Sequence, residues 1–350
     1  MNGKENGRSI NYINFASVIS AIAVIILHTN GCFWNFSRTE RYWKTANIIE
    51  SVFYFAVPVF FMVSGATLLD FYKRYGLKEY FSKRIIKTVV PYIVWSILGL
   101  LFRIFYLGHM EFADIGVSYV INGLLGGNII SIYWFFIPLF CIYLCIPLFA
   151  AVSDELRKVV FSYIAVACFI FNYFIPFVIN VLELDIHFSI SVTVGTNYLF
   201  YVVIGYLLNK YELSTKSRYV IYGFGIIGLL MHIVGTYNLS MREGWIVQTY
   251  KGYANVPCIL WSVGVFVFFK YTGGRIMGNK VVAKVINVLK KYTFSIYLTH
   301  WYVMQMLVYE FGADTKSIIY RLGAPFLIVI VVVICTWLVR RIPLVRRILP

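Results

Sequence analysis

The chain is a succession of long apolar runs, each broken by a short polar segment. Ten runs read as membrane-crossing helices: 12–30, 50–70, 86–107, 132–150, 159–181, 193–209, 217–236, 254–270, 290–309 and 322–341. A span takes about 20 apolar residues to cross a hydrocarbon core about 30 Å thick. The runs are continuous rather than alternating, so they do not read as the short period-two strands of a membrane barrel. The sixth run is short, and the eighth is interrupted only by Gly264. Segment 112–130 (FADIGVSYVINGLLGGNII) is rich in glycine and reads as an interfacial or re-entrant piece rather than an eleventh span. No internal repeat and no low-complexity linker divides the chain. The pattern therefore predicts one transmembrane domain over 1–350, an all-α integral membrane protein of about ten helices.

Composition sharpens this picture. Sixty per cent of the 350 residues are hydrophobic and only 13% are charged, about half the charge of a soluble domain. Such a chain cannot cover a water-facing surface, which excludes the soluble, disordered and disulfide-scaffold classes. Lys and Arg number 31 against 15 Asp and Glu, a formal net charge of +16. With the N-terminus placed in the cytoplasm, 23 of the basic residues fall on inside segments and 8 on outside ones. That alternation is the positive-inside pattern, so it predicts an N-in, C-in topology and removes any need for a nucleic-acid role. The cytoplasmic face then attracts anionic headgroups or an anionic cytosolic ligand. Lys4 and Arg8 precede the first run with no small-residue cleavage site after it, which reads as a retained span. The six cysteines form no CxxC pair and mostly lie in apolar runs, where they act as small hydrophobes.

Ionisable groups inside a membrane are costly and usually line a cavity or pathway. His28 closes the first run in AIAVIILHTNG, near the outer leaflet. A neutral imidazole there can serve as a general base; an interfacial His bonded to a carbonyl is the plainer alternative. Glu50 opens the second run on the same side. It can orient the His28 ring as the third member of a triad does, or simply favour a helix N-terminus. His300 lies mid-span in KKYTFSIYLTHWYVMQML, with Tyr297 one turn earlier. At that depth it needs a polar partner, in a substrate pocket or in an interhelical hydrogen bond. Arg84 and Lys87, in FSKRIIKTVVPY, share a face at i, i+3 at the cytoplasmic start of the third run. They can hold phosphates or merely anchor the helix. His109, His187 and His232 carry no second signal. No set of His, Cys or Glu has metal-ligand spacing, and no GxSxG elbow, Walker motif or dinucleotide glycine pattern occurs.

These pieces, in this order, resemble the membrane acyltransferase 3 family of polytopic proteins that acylate surface glycans and related small acceptors. The likeness runs through His28-Thr29, VPVFFMVSG (57–65), SKRIIKTVVPY (82–92), YWFFIPLFCIYLCIPL (133–148), NYLFYVVIGYLL, YTFSIYLTHW (292–301) and the C-terminal RRIPLVRR. It covers nearly the whole chain, and the family's ten-span topology agrees with the count above. The resemblance implies that His28 matches the family's proposed catalytic histidine. Arg84 and Lys87 match its paired basic residues, Ser64-Gly65 its Ser-Gly, Trp134-Phe135 its Trp-Phe, and Ser295 to His300 its ninth-span motif. Two departures stand out. Ser17 occupies a position, eleven before the histidine, where many members carry a basic residue; cationic help must then come from elsewhere, with Arg84 and Arg103 as candidates. Ile132-Tyr133 precedes Trp134 where many members have His-Leu.

The resemblance also implies a reaction. Acetyl-CoA, or another acyl-CoA, is the expected donor substrate. Arg84, Lys87 and Lys83 would hold its phosphates, and no metal is expected. His28, oriented by Glu50, would deprotonate a hydroxyl of a surface glycan or lipid-linked sugar, with direct transfer or a transient acyl-His as variants. His300, Tyr297, Ser64, Trp134 and Tyr133 would shape the substrate pocket, Ser64 or Tyr297 steadying the oxyanion. The expected location is the bacterial cytoplasmic membrane. The alternative is a small-solute or glycan permease on the same fold, with His28, His300 and Glu50 in a proton-linked path.

Overall fold

The computed structural model describes residues 3–342 and 348–349, with side chains described for 11–113, 115–342 and 348–349. The side chains of Lys4 and Arg8, and most of the C-terminal RRIPLVRR, lie outside the described residues. Within them the secondary structure is all helical, without strands. The helices are α1 (Gly3–Thr29), α2 (Arg41–Phe53), α3 (Ala56–Leu68), α4 (Leu77–Arg84), α5 (Val90–Phe105), α6 (Val117–Gly126), α7 (Phe136–Ala150) and α8 (Asp154–Cys168). There follow α9 (Ile175–Val181), α10 (Tyr198–Lys210), α11 (Thr215–Glu243), α12 (Val256–Ile276), α13 (Lys280–Lys290), α14 (Thr293–Tyr309) and α15 (Ile318–Val339).

Eight of the ten expected runs form helical segments long and apolar enough to cross a membrane. The other two are shorter. With 13 residues α10 rises about 20 Å, and with 17 residues α14 rises about 26 Å. Both are packed inside the bundle: α10 buries Phe200, Tyr201, Val202, Val203 and Tyr206, and α14 buries Ser295 to Leu298, His300 and Trp301. Segment 112–130 contains a single 3-10 turn, Phe112–Asp114, and the ten-residue α6, closed by Gly127 at φ +66. Its Val117, Ile121 and Leu125 form one exposed apolar stripe, as an element lying against lipid would present.

Proline explains the irregular turns in three long segments. A proline ring clashes with the carbonyl four residues back and leaves it without a donor. Arg41–Lys73 breaks at Tyr54 and Phe55, just before Pro58, which has no N–H to offer the Tyr54 carbonyl. Leu77–Phe105 widens into a π turn over Ile85–Val89, just before Pro91. Asp154–Val181 does the same over Phe169–Phe174, just before Pro176. The break at Tyr54 matters for function, because it turns residues on both sides of it towards one cavity.

The core is organised around α1, which packs against α3, α12, α14 and α15. Helix α3 in turn meets α10 almost backbone to backbone. A Cβ at Gly65 would lie 1.9 Å from the Val202 carbonyl oxygen, and one at Gly205 would lie 2.2 Å from that of Met62. The Ser64-Gly65 pair thus marks a small-residue crossing of the kind membrane helices use. Outward faces stay apolar: Ile319, Phe326, Ile330 and Ile334 of α15 are exposed, the arrangement expected where lipid is the solvent.

Candidate active site

The end of α1 is tied to two other helices, α15 and α2. Thr29 donates to the Ile25 carbonyl at 3.1 Å and to that of Arg321, in α15, at 2.9 Å. Asn30 donates to the Ala46 carbonyl in α2 at 2.9 Å. This anchoring holds His28, in the last turn of α1, at the wall of a cavity of about 250 Å³. Trp34, Glu50, Tyr54, Trp134, Tyr253 and Tyr297 are among its other lining residues.

His28 and His300 meet here across 272 positions of sequence. Nδ1 of His28 lies 2.8 Å from Nε2 of His300, and the rings are nearly parallel with centroids 5.0 Å apart. Nδ1 of His300 lies 2.9 Å from the Ile296 carbonyl oxygen. A carbonyl only accepts, so in neutral His300 the proton sits on Nδ1 and Nε2 offers a lone pair. His28 must then donate from its own Nδ1. That tautomer leaves the lone pair of His28 on Nε2, the basic nitrogen that a substrate would meet.

Glu50 lines the same cavity, but the expected pairing with His28 is not made. Its Oε1 lies 2.9 Å from Nζ of Lys251, and its Oε2 has the Asn30 amide at 3.5 Å. The ring of His28 is oriented by His300 instead. Lys251 comes from the loop between α11 and α12 and carries no signal in the sequence. It is 201 positions from Glu50, in a stretch (QTYKGYANVP) that reads as an ordinary outside loop. Tyr253, from the same loop, stacks on Tyr54 at 4.3 Å and on Trp134 at 5.7 Å.

The remaining expected pocket residues divide. Trp134 and Tyr297 line the cavity, whereas Tyr133, Ser64 and His300, which stands behind His28, are not among its lining residues. Tyr297 donates to the Ile132 carbonyl at 2.6 Å, and Tyr133 donates to that of Leu298 at 2.5 Å. These reciprocal bonds clamp α14 to the turn Ser131–Phe135 and so position His300 against His28. Ser64 donates to Phe60 at 3.0 Å. Neither Ser64 nor Tyr297 therefore has a free hydroxyl proton for an oxyanion.

The basic residues lie elsewhere. Arg84 hydrogen-bonds Tyr75 at 3.5 Å, beyond the far end of the helix pair that carries Glu50, with the rings of Tyr80 and Tyr143 each 5.5 Å away. Lys83 is paired with Glu79 at 2.7 Å. Lys87 is exposed on the π turn, so the expected i, i+3 face with Arg84 is opened out by the wider winding. The cavity at His28 takes no lining residue from Leu77–Val89. Arg103 is held by the Ile129 carbonyl at 2.9 Å, and Ser17 bonds its own helix at Ile13. Among the described residues no group of His, Cys, Asp or Glu is arranged to hold a metal ion, and all six cysteines are free.

A family model for an acyltransferase domain matches residues 10–340 of the chain, essentially its whole length. The chain belongs to the acyltransferase 3 family. No curated protein and no solved structure matches it. Family membership and the apolar helices together make it a multi-pass membrane acyltransferase, and they do not favour the transporter reading.

Proposed function

We propose that this acyltransferase moves an acyl group, acetyl in the first instance, from acyl-CoA to a hydroxyl of a surface glycan or lipid-linked sugar. The acceptor is met at the outer side of a bacterial cytoplasmic membrane. The observation that carries this reading is the relay from the Ile296 carbonyl through His300 to His28, ending on a lone pair at a cavity wall.

The chemistry follows from that lone pair. Nε2 of His28 takes the proton of the acceptor hydroxyl as its oxygen attacks the thioester carbonyl. The tetrahedral intermediate collapses, the C–S bond breaks, and the imidazolium returns the proton to the departing CoA sulfur. General-base help of this kind is worth roughly 10²–10⁴-fold. His300 keeps the ring in the required tautomer. The cavity, at about 250 Å³, is below the ~300–1,000 Å³ of sites that enclose a whole drug-sized ligand. It suits the reacting ends of donor and acceptor, with the CoA phosphates held at a distance by Arg84 and Lys87. The aromatic rings of Trp34 and Trp134 at its wall suit the apolar face of a sugar ring.

The test is transfer of a labelled acetyl group from acetyl-CoA by purified protein in proteoliposomes, paired with mass spectrometry of surface polymers. His28→Ala is expected to abolish transfer while inserting normally in the membrane. Retained transfer in that variant would remove His28 from the mechanism.

A further inference from the structure

Lys251 stands in a loop, yet its side chain is fully buried. The loop's own hydrogen bonds hold it there: the Asn255 amide donates to the carbonyls of Gln248, Thr249 and Lys251 at 2.8, 3.0 and 3.1 Å. A buried ammonium is costly unless it is paired. This one has a single carboxylate, Glu50 at 2.9 Å, without the alignment of a good hydrogen bond. Three ring faces also lie around it, Tyr54 at 3.8 Å, Trp34 at 4.6 Å and Phe33 at 5.1 Å. Glu50 is itself incompletely used. A carboxylate offers about four acceptor sites; here, among the described residues, Oε1 meets Lys251 and Oε2 has only Asn30, at the limit of hydrogen-bond length. Glu50, Trp34 and Tyr54 all line the cavity that holds His28.

We propose that Lys251 is a positioning residue for acyl transfer. It fixes the Glu50 carboxylate at the cavity wall, so that the remaining acceptor capacity of Glu50 takes a hydrogen bond from a second hydroxyl of the acceptor. His28 takes the reacting hydroxyl and Glu50 a neighbouring one, which makes the acceptor a compound with at least two hydroxyls within one cavity. Lys251 neutralises the carboxylate, which alone would oppose the negative charge developing on the thioester oxygen. This inference rests on the acyl-transfer reading.

The test uses the full chain in its own host, with the chromosomal copy removed and the native acceptor present. Surface acyl esters are counted by mass spectrometry and scaled to the membrane abundance of each variant, and melting temperatures are taken on purified protein. The variants are Lys251→Met, Lys251→Arg, the neutral pair Glu50→Gln/Lys251→Met, and His28→Ala. The neutral pair is expected to melt close to wild type, because replacing both members of a buried ion pair is often tolerated. Its ester content should nonetheless fall roughly 10²-fold, the scale at which a misplaced substrate loses rate. Lys251→Arg keeps the charge and should keep ester readily detectable.

A neutral pair that melts and transfers like wild type assigns Glu50 and Lys251 to packing and overturns the proposal. So does failure of all three Lys251 variants to fold, and so does a well-folded Lys251→Arg without ester. His28→Ala separates the two layers. No ester from the wild-type chain sinks the acyl-transfer reading, ester retained without His28 removes His28 from it and with it this inference, and ester that depends on His28 but not on Lys251 sinks only this inference.

Discussion

Of the cations that the bundle buries against the segment Arg41–Lys73, Arg157 beside Asp70 and Lys251 beside Glu50 are held in opposite ways. Arg157, with a side chain 5% exposed, meets Asp70 at 2.6 Å, the Ala150 carbonyl at 2.5 Å and the Val152 carbonyl at 2.8 Å. Its guanidinium also lies over the ring of Tyr206. Every side of that planar fork is used, and two of its partners are backbone carbonyls just at and after the end of α7. Lys251 has one carboxylate and three ring faces. A fully satisfied buried charge rigidifies the fold around it. An under-satisfied one, beside a cavity with a carboxylate and a free imidazole nitrogen, has capacity left for a ligand. The contrast separates a structural cation from one placed for chemistry, although both look alike in the sequence.

The largest expected effect breaks the structural side of that contrast. Arg157→Ala leaves Asp70 with Lys73 at 3.3 Å but strands two carbonyls, at a cost of about 1–3 kcal/mol each, and should lower the melting temperature sharply. Arg157→Lys should recover little, because a point charge cannot replace the fork. Thermal unfolding in detergent decides it: a Lys variant that melts like wild type would show that charge alone is needed there, and the distinction from Lys251 would collapse.

The next effect sharpens the chemical side. His300→Phe leaves Nδ1 of His28 without an acceptor and frees the tautomer, so turnover should fall roughly 10²-fold with the donor KM unchanged. His300→Gln offers a carbonyl oxygen in the same region and should retain more activity. Equal turnover in the two variants would mean that the ring of His28 is oriented by something other than His300.

How much of this was legible in the sequence follows from how far each signal reaches. Apolar runs are local, so the all-helical membrane fold and eight of the spanning segments could be read directly. The two shorter helices, α10 and α14, are apolar because they pack inside the bundle, and composition cannot separate burial in protein from burial in lipid. His28 and His300 each stood out as polar residues in apolar runs, but nothing local says that they touch. Glu50 was singled out for the cavity it does line, with the wrong partner, because spans one and two are neighbours in sequence and Lys251 is not. Ser17 made a cation seem to be missing; the cation beside the cavity arrives from a loop, where a lone lysine carries no signal at all. Tyr133, which looked like a departure from the family pattern, turns out to be half of the clamp that seats α14.

A smaller effect is expected on the donor side. Arg84→Ala/Lys87→Ala should raise the donor KM about tenfold, the equivalent of ~1.4 kcal/mol, while leaving turnover at saturating donor close to wild type. The comparison to make is CoA against dephospho-CoA as an inhibitor. If these residues read the phosphates, the variant loses its preference between the two. If the preference persists, Arg84 and Lys87 only anchor the helix, and the phosphates are held elsewhere.

The smallest effect concerns Glu79. Its pair with Lys83 is exposed on both sides, 55% and 38%, and exposed pairs contribute about 0–1 kcal/mol. Glu79→Ala should therefore leave the melting temperature nearly unchanged. It releases the Lys83 ammonium, which then keeps only its position 3.9 Å over the Tyr75 ring. Arg84 hydrogen-bonds that same tyrosine, so the freed charge adds to the field on the donor side, and the donor KM should fall by a few-fold at low salt and by less at high salt, where the Debye length shrinks to about 3 Å at 1 M. A KM that rises instead would mean that Glu79 holds Lys83 in the geometry the phosphates need, so that even this exposed pair positions a binding group, as Lys251 does for Glu50.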